Sequence, residues 1–343
     1  MRILTRRDML KVAAGLAAGG AISSAFGCEA EEETVPGTRI RPARADVRRP
    51  VVVVARDAKV ATGWEVDGTR LRALLARAMR ALGDVSDPRE TWRAFFDPRD
   101  VVGLKVNALA GIPGSTHSEL AFAVADALTS AGVDEKNVLI WDRTGTDLKR
   151  AGYTLNGAGS GYRCFGTDAR GVGYESEHVF FGKVGSRLSR ILSALSTAQV
   201  NLPAMKDHGL AGMSGALKNY FGAIHNPNKY HANNCDPWVA DVNALAAIRG
   251  KSRLVVCDGL YAQCHGGPGF KERWAWNFGG LVVGTDPVAV DRVLGAIIEA
   301  RREDLGLKTL EKEGRSPTWL ETAADDQHRL GVSSLEEVER MDV

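Results

Sequence analysis

An α/β fold is predicted by this sequence, with a largely parallel sheet flanked by helices and interrupted by irregular Gly-rich insertions. Three observations carry the prediction. Short β-branched or apolar runs recur at 51–55, 101–107, 138–142 and 254–258, each of the length and type of a buried strand. Helical periodicity fills the intervals between them. Asp-Pro pairs at 236–237 and 286–287 have the form of a capping residue followed by proline at the first helical position.

In chain order, Val51-Val52-Val53-Val54-Ala55 is the first strand. Apolar residues recur at helical spacing over 71–82, and Gly83 ends that helix. A strand over 101–107 follows. Thr116-His117-Ser118-Glu119 has the form of a capping box, opening a helix that runs to Ala131 and stops at Gly132. Residues 138–142 are a further strand, and 156–173, crowded with glycine, an irregular excursion. Next come a strand over 178–184, a helix over 187–195, a strand over 198–206 broken late by Pro203, and a Gly-rich helix or turn over 209–221. Residues 225–236 are a polar loop, 254–258 a strand and 288–301 a helix. The tail after Thr318 is polar and helical in parts.

The amino terminus carries a different message. Thr5-Arg6-Arg7-Asp8-Met9-Leu10-Lys11 is a paired-arginine run, followed by an uncharged Ala- and Gly-rich segment over 12–27 and then Cys28. Positive start, apolar middle and small-residue end stand in the order of a twin-arginine export signal, read by the translocase that carries folded proteins. The apolar part is too short and Gly-rich for a good spanning helix. A short buried helix with chance arginines is the plainer alternative. Ala25-Phe26-Gly27-Cys28 resembles the box before a lipid-modified cysteine, with Ala25 and Phe26 departing from it. A membrane tether through Cys28 and a cleaved, free amino terminus therefore both stay open. The expected organisation is a signal over 1–28, an acidic flexible tether over 29–49, an α/β domain over 50–305 and a helical extension over 306–343. The expected location is the periplasm or another extracytoplasmic space.

Removing Arg2, Arg6, Arg7 and Lys11 against Asp8 takes the formal net charge from +2 to −1. The remaining chain, about 315 residues, is long enough for a large core in one domain or two closely joined ones. It has no basic footprint for nucleic acid, and no transmembrane segment follows the signal. Cys164, Cys235, Cys257 and Cys264 are widely and irregularly spaced, with no Cys-x-x-Cys pair. A ferredoxin-type cluster or zinc ribbon is not expected. An oxidising compartment permits one or two disulfides, and buried free thiols fit equally well.

Chemistry gathers where strands end. One strand closes with Lys105-Val106-Asn107 and another with Lys206-Asp207-His208. In each, two polar side chains stand two apart and leave the strand on one side. Ligands of open parallel sheets bind beyond the carboxyl ends of the strands. A lysine buried there without a partner is costly, so two of them point to a shared anionic ligand or to acidic partners. A solvated sheet edge is the plain alternative. Residues 206–236 hold the densest polar set, including Lys218, Asn219, His225 and His231. Imidazole suits transition metals, so His208, His225 and His231 are the candidate metal ligands, although their spacing matches no established metal motif. Histidines that order a loop by hydrogen bonds are the competing reading.

The turn over 109–115 precedes a helix amino terminus, whose free amides favour an anion. Ser115, Thr116 and His117 would add hydrogen bonds there, and capping alone would also account for Thr116. Asp258 follows an apolar strand and could pair with His265 as acid and base. Asp286 caps its helix, and Asp291 lies one turn further in, toward a cation or a lysine.

These segments carry a family likeness. Val102-Gly103-Leu104-Lys105-Val106-Asn107, Ser115-Thr116-His117, Leu202-Pro203-Ala204-Met205-Lys206-Asp207-His208, Ala216-Leu217-Lys218-Asn219-Tyr220-Phe221-Gly222, Gly266-Gly267-Pro268 and Gly284-Thr285-Asp286-Pro287-Val288-Ala289-Val290-Asp291 occur in order. Together, from roughly 50 to 305, they resemble the bacterial and archaeal family catalogued as domain of unknown function 362. The resemblance implies an α/β fold and no assigned activity. Some relatives add a ferredoxin-like module with iron–sulfur cysteines, a pattern this chain lacks. A looser likeness to the lactate racemase catalytic fold, with its lysine and histidine around a nickel cofactor, is analogy only.

The reading that follows is an exported, enzyme-like domain for a small anionic ligand, with a transition metal and redox or isomerase chemistry among the options. Lys105, Lys206 and His208 are the candidate catalytic residues, His208 as base or metal ligand. Asn107, Thr116, Lys218, Asn219, Asp258 and Asp286 are the candidate ligand-binding residues. The rival is a non-catalytic periplasmic binding or assembly protein.

Overall fold

The computed structural model describes residues 49–343. The export signal, Cys28 and residues 29–48 of the tether lie outside the described residues. Ten strands form the main sheet. They are β1 (Val51–Arg56), β2 (Val102–Val106), β3 (Val138–Asp142), β4 (Arg163–Gly166) and β5 (Ala198–Leu202), then β6 (Ala204–His208), β7 (Gly212–Ser214), β8 (Ser252–Gln263), β9 (Ala275–Gly284) and β10 (Glu339–Asp342). Spatially the order is β10-β1-β9-β8-β5-β2-β3-β4, with β6 beside β8 and β7 beside β6.

The block β8-β5-β2-β3-β4 is parallel throughout. The α/β sheet is thus largely parallel, as the alternation of strands and helices predicts, but not wholly so. β9, a strand the hydrophobic pattern does not announce, runs antiparallel to both β1 and β8. The carboxy-terminal extension corrects a second expectation. It contains the helix Trp319–Ala324, and it also returns to the sheet, where β10 pairs in parallel with β1.

Side-chain alternation along each strand splits the core into two layers. On one face the helices Gly68–Gly83, Pro88–Phe95 and Ser118–Ala131 contribute Leu71, Leu74, Met79, Trp92, Leu120 and Leu128. On the other, Ala216–Asn219, Trp238–Ala244, Pro287–Asp304 and Trp319–Ala324 contribute Leu217, Val239, Leu294 and Trp319. In β5 the alternation has a particular result. Ala198, Val200 and Leu202 join the first layer, so Gln199 and Asn201 turn to the second and are fully buried there. Gly103 makes room for this, since a Cβ on it would stand 2.3 Å from Gln199 Nε2. Gln199 Oε1 accepts from Trp141 Nε1 at 2.9 Å.

Capping follows sequence in some places and not in others. Asp286 caps the helix Pro287–Asp304, accepting from the Val288 and Ala289 amides at 2.9 Å each. Gly132, at φ +116°, ends the helix Ser118–Ala131. That helix has no side-chain cap, however, because Thr116 Oγ1 donates to Leu202 O at 2.6 Å and accepts from Asn107 N at 2.9 Å. Asp236 does not cap Trp238–Ala244 either; its carboxylate accepts from the hydroxyls of Thr318 and Thr322 at 2.8 Å each. In both cases a tertiary partner outbids the local amide.

Candidate functional site

The carboxyl ends of β2, β5 and β6 meet in a buried polar network. Lys105 projects from β2 into the second layer, where the row beneath the turn 216–219 is polar. Its ammonium donates to Asp142 Oδ1 at 2.7 Å and to Val106 O at 2.7 Å, and lies 3.4 Å from Asn219 Oδ1. Asp142 Oδ2 accepts from the Ala108 amide at 2.7 Å. Asn219 donates to Lys105 O at 3.1 Å and to Asn201 Oδ1 at 2.8 Å, while its own Oδ1 accepts from Asn107 Nδ2 at 3.2 Å. Asn107 Oδ1 then accepts from Lys206 Nζ at 2.9 Å. A continuous path therefore links Asp142, Lys105, Asn219, Asn107 and Lys206. Gly222 packs against it so closely that a Cβ there would stand 2.8 Å from both Asp142 Oδ1 and Lys105 Nζ.

The three lysines are not alike. Lys105 has its own carboxylate. Lys206, 3% exposed, has only neutral acceptors, Asn107 Oδ1 and Gly114 O, each at 2.9 Å. Lys218, 8% exposed, lies 3.1 Å from His231 Nε2 and 3.7 Å from the centre of the Phe221 ring. Among the described residues neither Lys206 nor Lys218 forms an ion pair. Burial brings both ammonium groups down to about 8. Burial also lowers Lys105, against the pull of Asp142.

His208 sits among these cations. Its ring stacks on His231 with centroids 5.7 Å apart. Burial, then the charges of Lys218, His231, Lys206 and Arg315, push its imidazole down to about 3, so it is neutral across the ordinary pH range. Its Nδ1 accepts from the Leu210 and Ala211 amides at 3.2 Å each, which puts the proton on Nε2. Such a ring donates to an anion; it has no free lone pair with which to act as a base. Asp207, its neighbour, is turned away into an ion pair with Arg315 at 3.2 Å and accepts from the Gly267 amide at 2.8 Å.

The remaining candidates fall elsewhere. His225 is exposed and sets its ring edge-on to Tyr174, centroids 5.2 Å apart, so the His208–His231 stack does not include it. Among the described residues no group of three or more His, Cys, Asp or Glu side chains is arranged to hold a metal ion. Cys164, Cys235, Cys257 and Cys264 are buried free thiols. Asp286 has its oxygens taken by the amides of Val288, Ala289 and Val332. Asp291 reaches no cation; it accepts from the Ala216 and Leu217 amides at 2.5 and 3.0 Å, fixing the start of the turn that presents Lys218 and Asn219.

Asp258 pairs with His117 and not with His265. One oxygen, Oδ2, accepts from both the His117 amide at 2.7 Å and its Nδ1 at 2.8 Å. His265 instead lies 3.3 Å from Arg302 and Arg315 nitrogens. Asp142, Asn201 and Arg315 escape a reading of the sequence, as does the pairing of His117 with Asp258. Asn201 carried a signal, since it and Gln199 are polar side chains alternating with apolar ones in a short buried strand. Arg315 carried none, being one of many basic residues in a polar tail.

Two depressions of the described surface lie away from this network, one bordered by Arg72, Pro88 and Trp92 and the other by Lys59, Thr62 and Glu65. Solvent meets the network at the half-buried Asn107 and His231. No helix of the described residues is long and apolar enough to cross a membrane.

Comparison with known proteins adds the family and little else. A solved protein from Thermotoga maritima is similar at 11% identity and a TM-score of 0.45, over 71% of this chain and 60% of that one. The chain thus spans about 60% of the length of that protein. No curated protein matches. A family profile described as Domain of unknown function (DUF362) matches residues 102–295, which include every residue of the path from Asp142 to Lys206, and the chain belongs to that family.

Proposed function

We propose that the chain binds a small anionic ligand at Lys206, Lys218 and His208, as an enzyme-like domain that works outside the cytoplasm after twin-arginine export. One observation carries the binding site: two buried ammonium groups, Lys206 and Lys218, have neutral partners only. An unpaired buried charge is expensive, and an arriving anion relieves that cost for both at once. His208 adds a neutral N–H donor, the form suited to an oxyanion in a low-dielectric site. Lys105, already neutralised by Asp142, holds Asn219 and through it Asn107 in place. The Arg6-Arg7 run supports the export reading.

Isothermal titration of the full chain with inorganic phosphate, and separately with acetate, tests the site. The expected result is saturable binding that weakens about tenfold or more in Lys206→Met and in Lys218→Met, the loss of one charge-assisted contact each. Equal affinity in wild type and both variants would defeat the proposal. Mass spectrometry of small molecules retained by the exported protein then identifies the natural ligand. With that ligand in hand, His208→Ala separates the two classes of function: an enzyme loses turnover and keeps most binding, whereas a binding protein loses affinity only.

A further inference from the structure

We propose that His117, held by Asp258, is a proton-donating residue of the same anion site, with its Nε2–H directed at a ligand oxyanion whose apolar part rests on Trp64 and Tyr261. This inference rests on the anion reading above.

The geometry has three parts. First, the ring is fixed at one end only. Asp258 Oδ2 takes both the His117 amide and Nδ1, while Asp258 Oδ1 is satisfied by the Leu260 amide at 3.0 Å. The carboxylate thus sets the tautomer and orientation of the imidazole, the arrangement by which a carboxylate readies a histidine for proton transfer. Second, the far end is unpartnered. His117 Nε2 is buried without a hydrogen-bond partner, and so is Ser115 Oγ two residues earlier. His117 is 8% exposed and Ser115 4%. Native interiors rarely leave such atoms unmet, and two within one tripeptide mark a place that another molecule completes. Third, this tripeptide is wired to the lysines. Gly114 O, just before it, accepts from Lys206 Nζ at 2.9 Å. Between its two orphaned residues, Thr116 clasps Asn107 through Thr116 N to Asn107 O at 2.8 Å and Asn107 N to Thr116 Oγ1 at 2.9 Å.

One aromatic ring stands beside the imidazole and a second stands beyond it. Tyr261 lies 5.9 Å from it between centroids, and Trp64, 39% exposed, lies 4.5 Å from Tyr261. Trp64 N donates to Tyr261 Oη at 2.8 Å, which holds the two together. An exposed tryptophan one ring away from a histidine with a free nitrogen suits a ligand with one charged end and one apolar end.

The groups facing His117 are Asp258 and Tyr261 from β8, Glu119 from its own helix, and Tyr153, whose hydroxyl donates to Thr116 O. Burial pulls the imidazole down, but the charge of Asp258 and its hydrogen bond pull harder, and the ring is held above its ordinary value. His117 therefore complements His208, which stays neutral. In the transfer, the Nε2–H bond breaks and an O–H bond forms on the ligand. The N–H electron pair remains on Nε2, the imidazolium becomes imidazole, and the ligand oxygen loses its negative charge. Reversal restores both.

Nitrogen-15 spectra of the histidine rings in the full chain test this, recorded from about pH 5 to about pH 9 with inorganic phosphate, with acetate and with neither. Titration calorimetry of His117→Gln accompanies them. The expected result is that the His117 Nε2 signal moves with one or both anions, and that His117→Gln weakens the same anion about fivefold or more, more strongly at acid than at alkaline pH. Movement with phosphate alone assigns a phosphoryl ligand, and with acetate alone a carboxylate. If wild type binds an anion and Lys206→Met loses it, while the His117 signals stay still, the inference falls and the lysine site stands. If wild type binds neither anion, both fall. The spectra use unaltered protein, so a variant that fails to fold leaves the test intact.

Discussion

Asp142 and Lys105 face each other across adjacent parallel strands and close a 2.7 Å ion pair that is almost wholly shielded from water. Two backbone amides, Ala108 at 2.7 Å and Arg143 at 2.8 Å, also converge on the Asp142 carboxylate. Removing one partner of such a pair strands the other in a medium that cannot solvate it. Asp142→Ala is expected to destabilise the domain by about 3–5 kcal/mol, read as a lower midpoint in urea unfolding. A loss near zero would mean that Lys105 sheds its proton without cost and that the pair does not organise the site.

Gly222 tests the crowding of that pair. A methyl group there would meet Asp142 Oδ1 and Lys105 Nζ at 2.8 Å and Lys105 Cε at 3.0 Å. Gly222→Ala is expected to cost about 1–3 kcal/mol, the range for overpacking, although alanine normally gains over glycine in the unfolded state. Thermal unfolding of the variant measures it, and stabilisation would contradict the packing described.

The lysines give stability and binding opposite pH dependences. Lys206 and Lys218 titrate near 8 when folded and near 10.5 when unfolded. Between those values the unfolded chain binds more protons, so their contribution makes the ligand-free protein more stable as pH rises through that window. Anion affinity should run the other way, falling as pH rises through about 8. His208, near 3, should add no step between about pH 5 and about pH 7. Urea unfolding of the ligand-free protein across the range checks the first claim, and calorimetric affinities check the second.

Lys206→Met separates function from folding. The substitution keeps the length of the side chain and discards a buried charge. Asn107 Oδ1, half-buried, can then turn to water. The expected change in stability is within about 1 kcal/mol of wild type, in either direction, with anion binding weakened about tenfold or more. A variant that is severely destabilised would show that Lys206 is structural, not a ligand group.

Local signals read well where local contacts decide. Asp286-Pro287 caps a helix because nothing else competes for the Asp286 carboxylate apart from Val332 N. Asp236-Pro237 offers the same dipeptide and fails, because Thr318 and Thr322 arrive from a helix more than eighty residues away. Thr116 fails as a cap for a like reason, its hydroxyl being claimed by β5. The polar strand ends at Lys105 and Lys206 are visible in the sequence, and strand geometry explains why they come together. Which lysine owns a carboxylate is not visible, since Asp142 sits in a strand of its own. The His117–Asp258 contact spans 141 residues and has no local trace. β10 is also silent, for Glu-Arg-Met-Asp alternates nothing; its place is set by the edge of β1 that it covers.

That covered edge bears on how the chain is made. Val51 to Val54 lie alongside Glu339 to Asp342, and Arg56 N donates to Val343 O at 2.9 Å. Strand β1 is sheltered by residues that follow it by almost three hundred positions, so its outer rim stays open until 339–342 have been made. An open rim of valines invites strangers. Deleting residues 339–343 should therefore show first as clumping and only later as weakened anion binding.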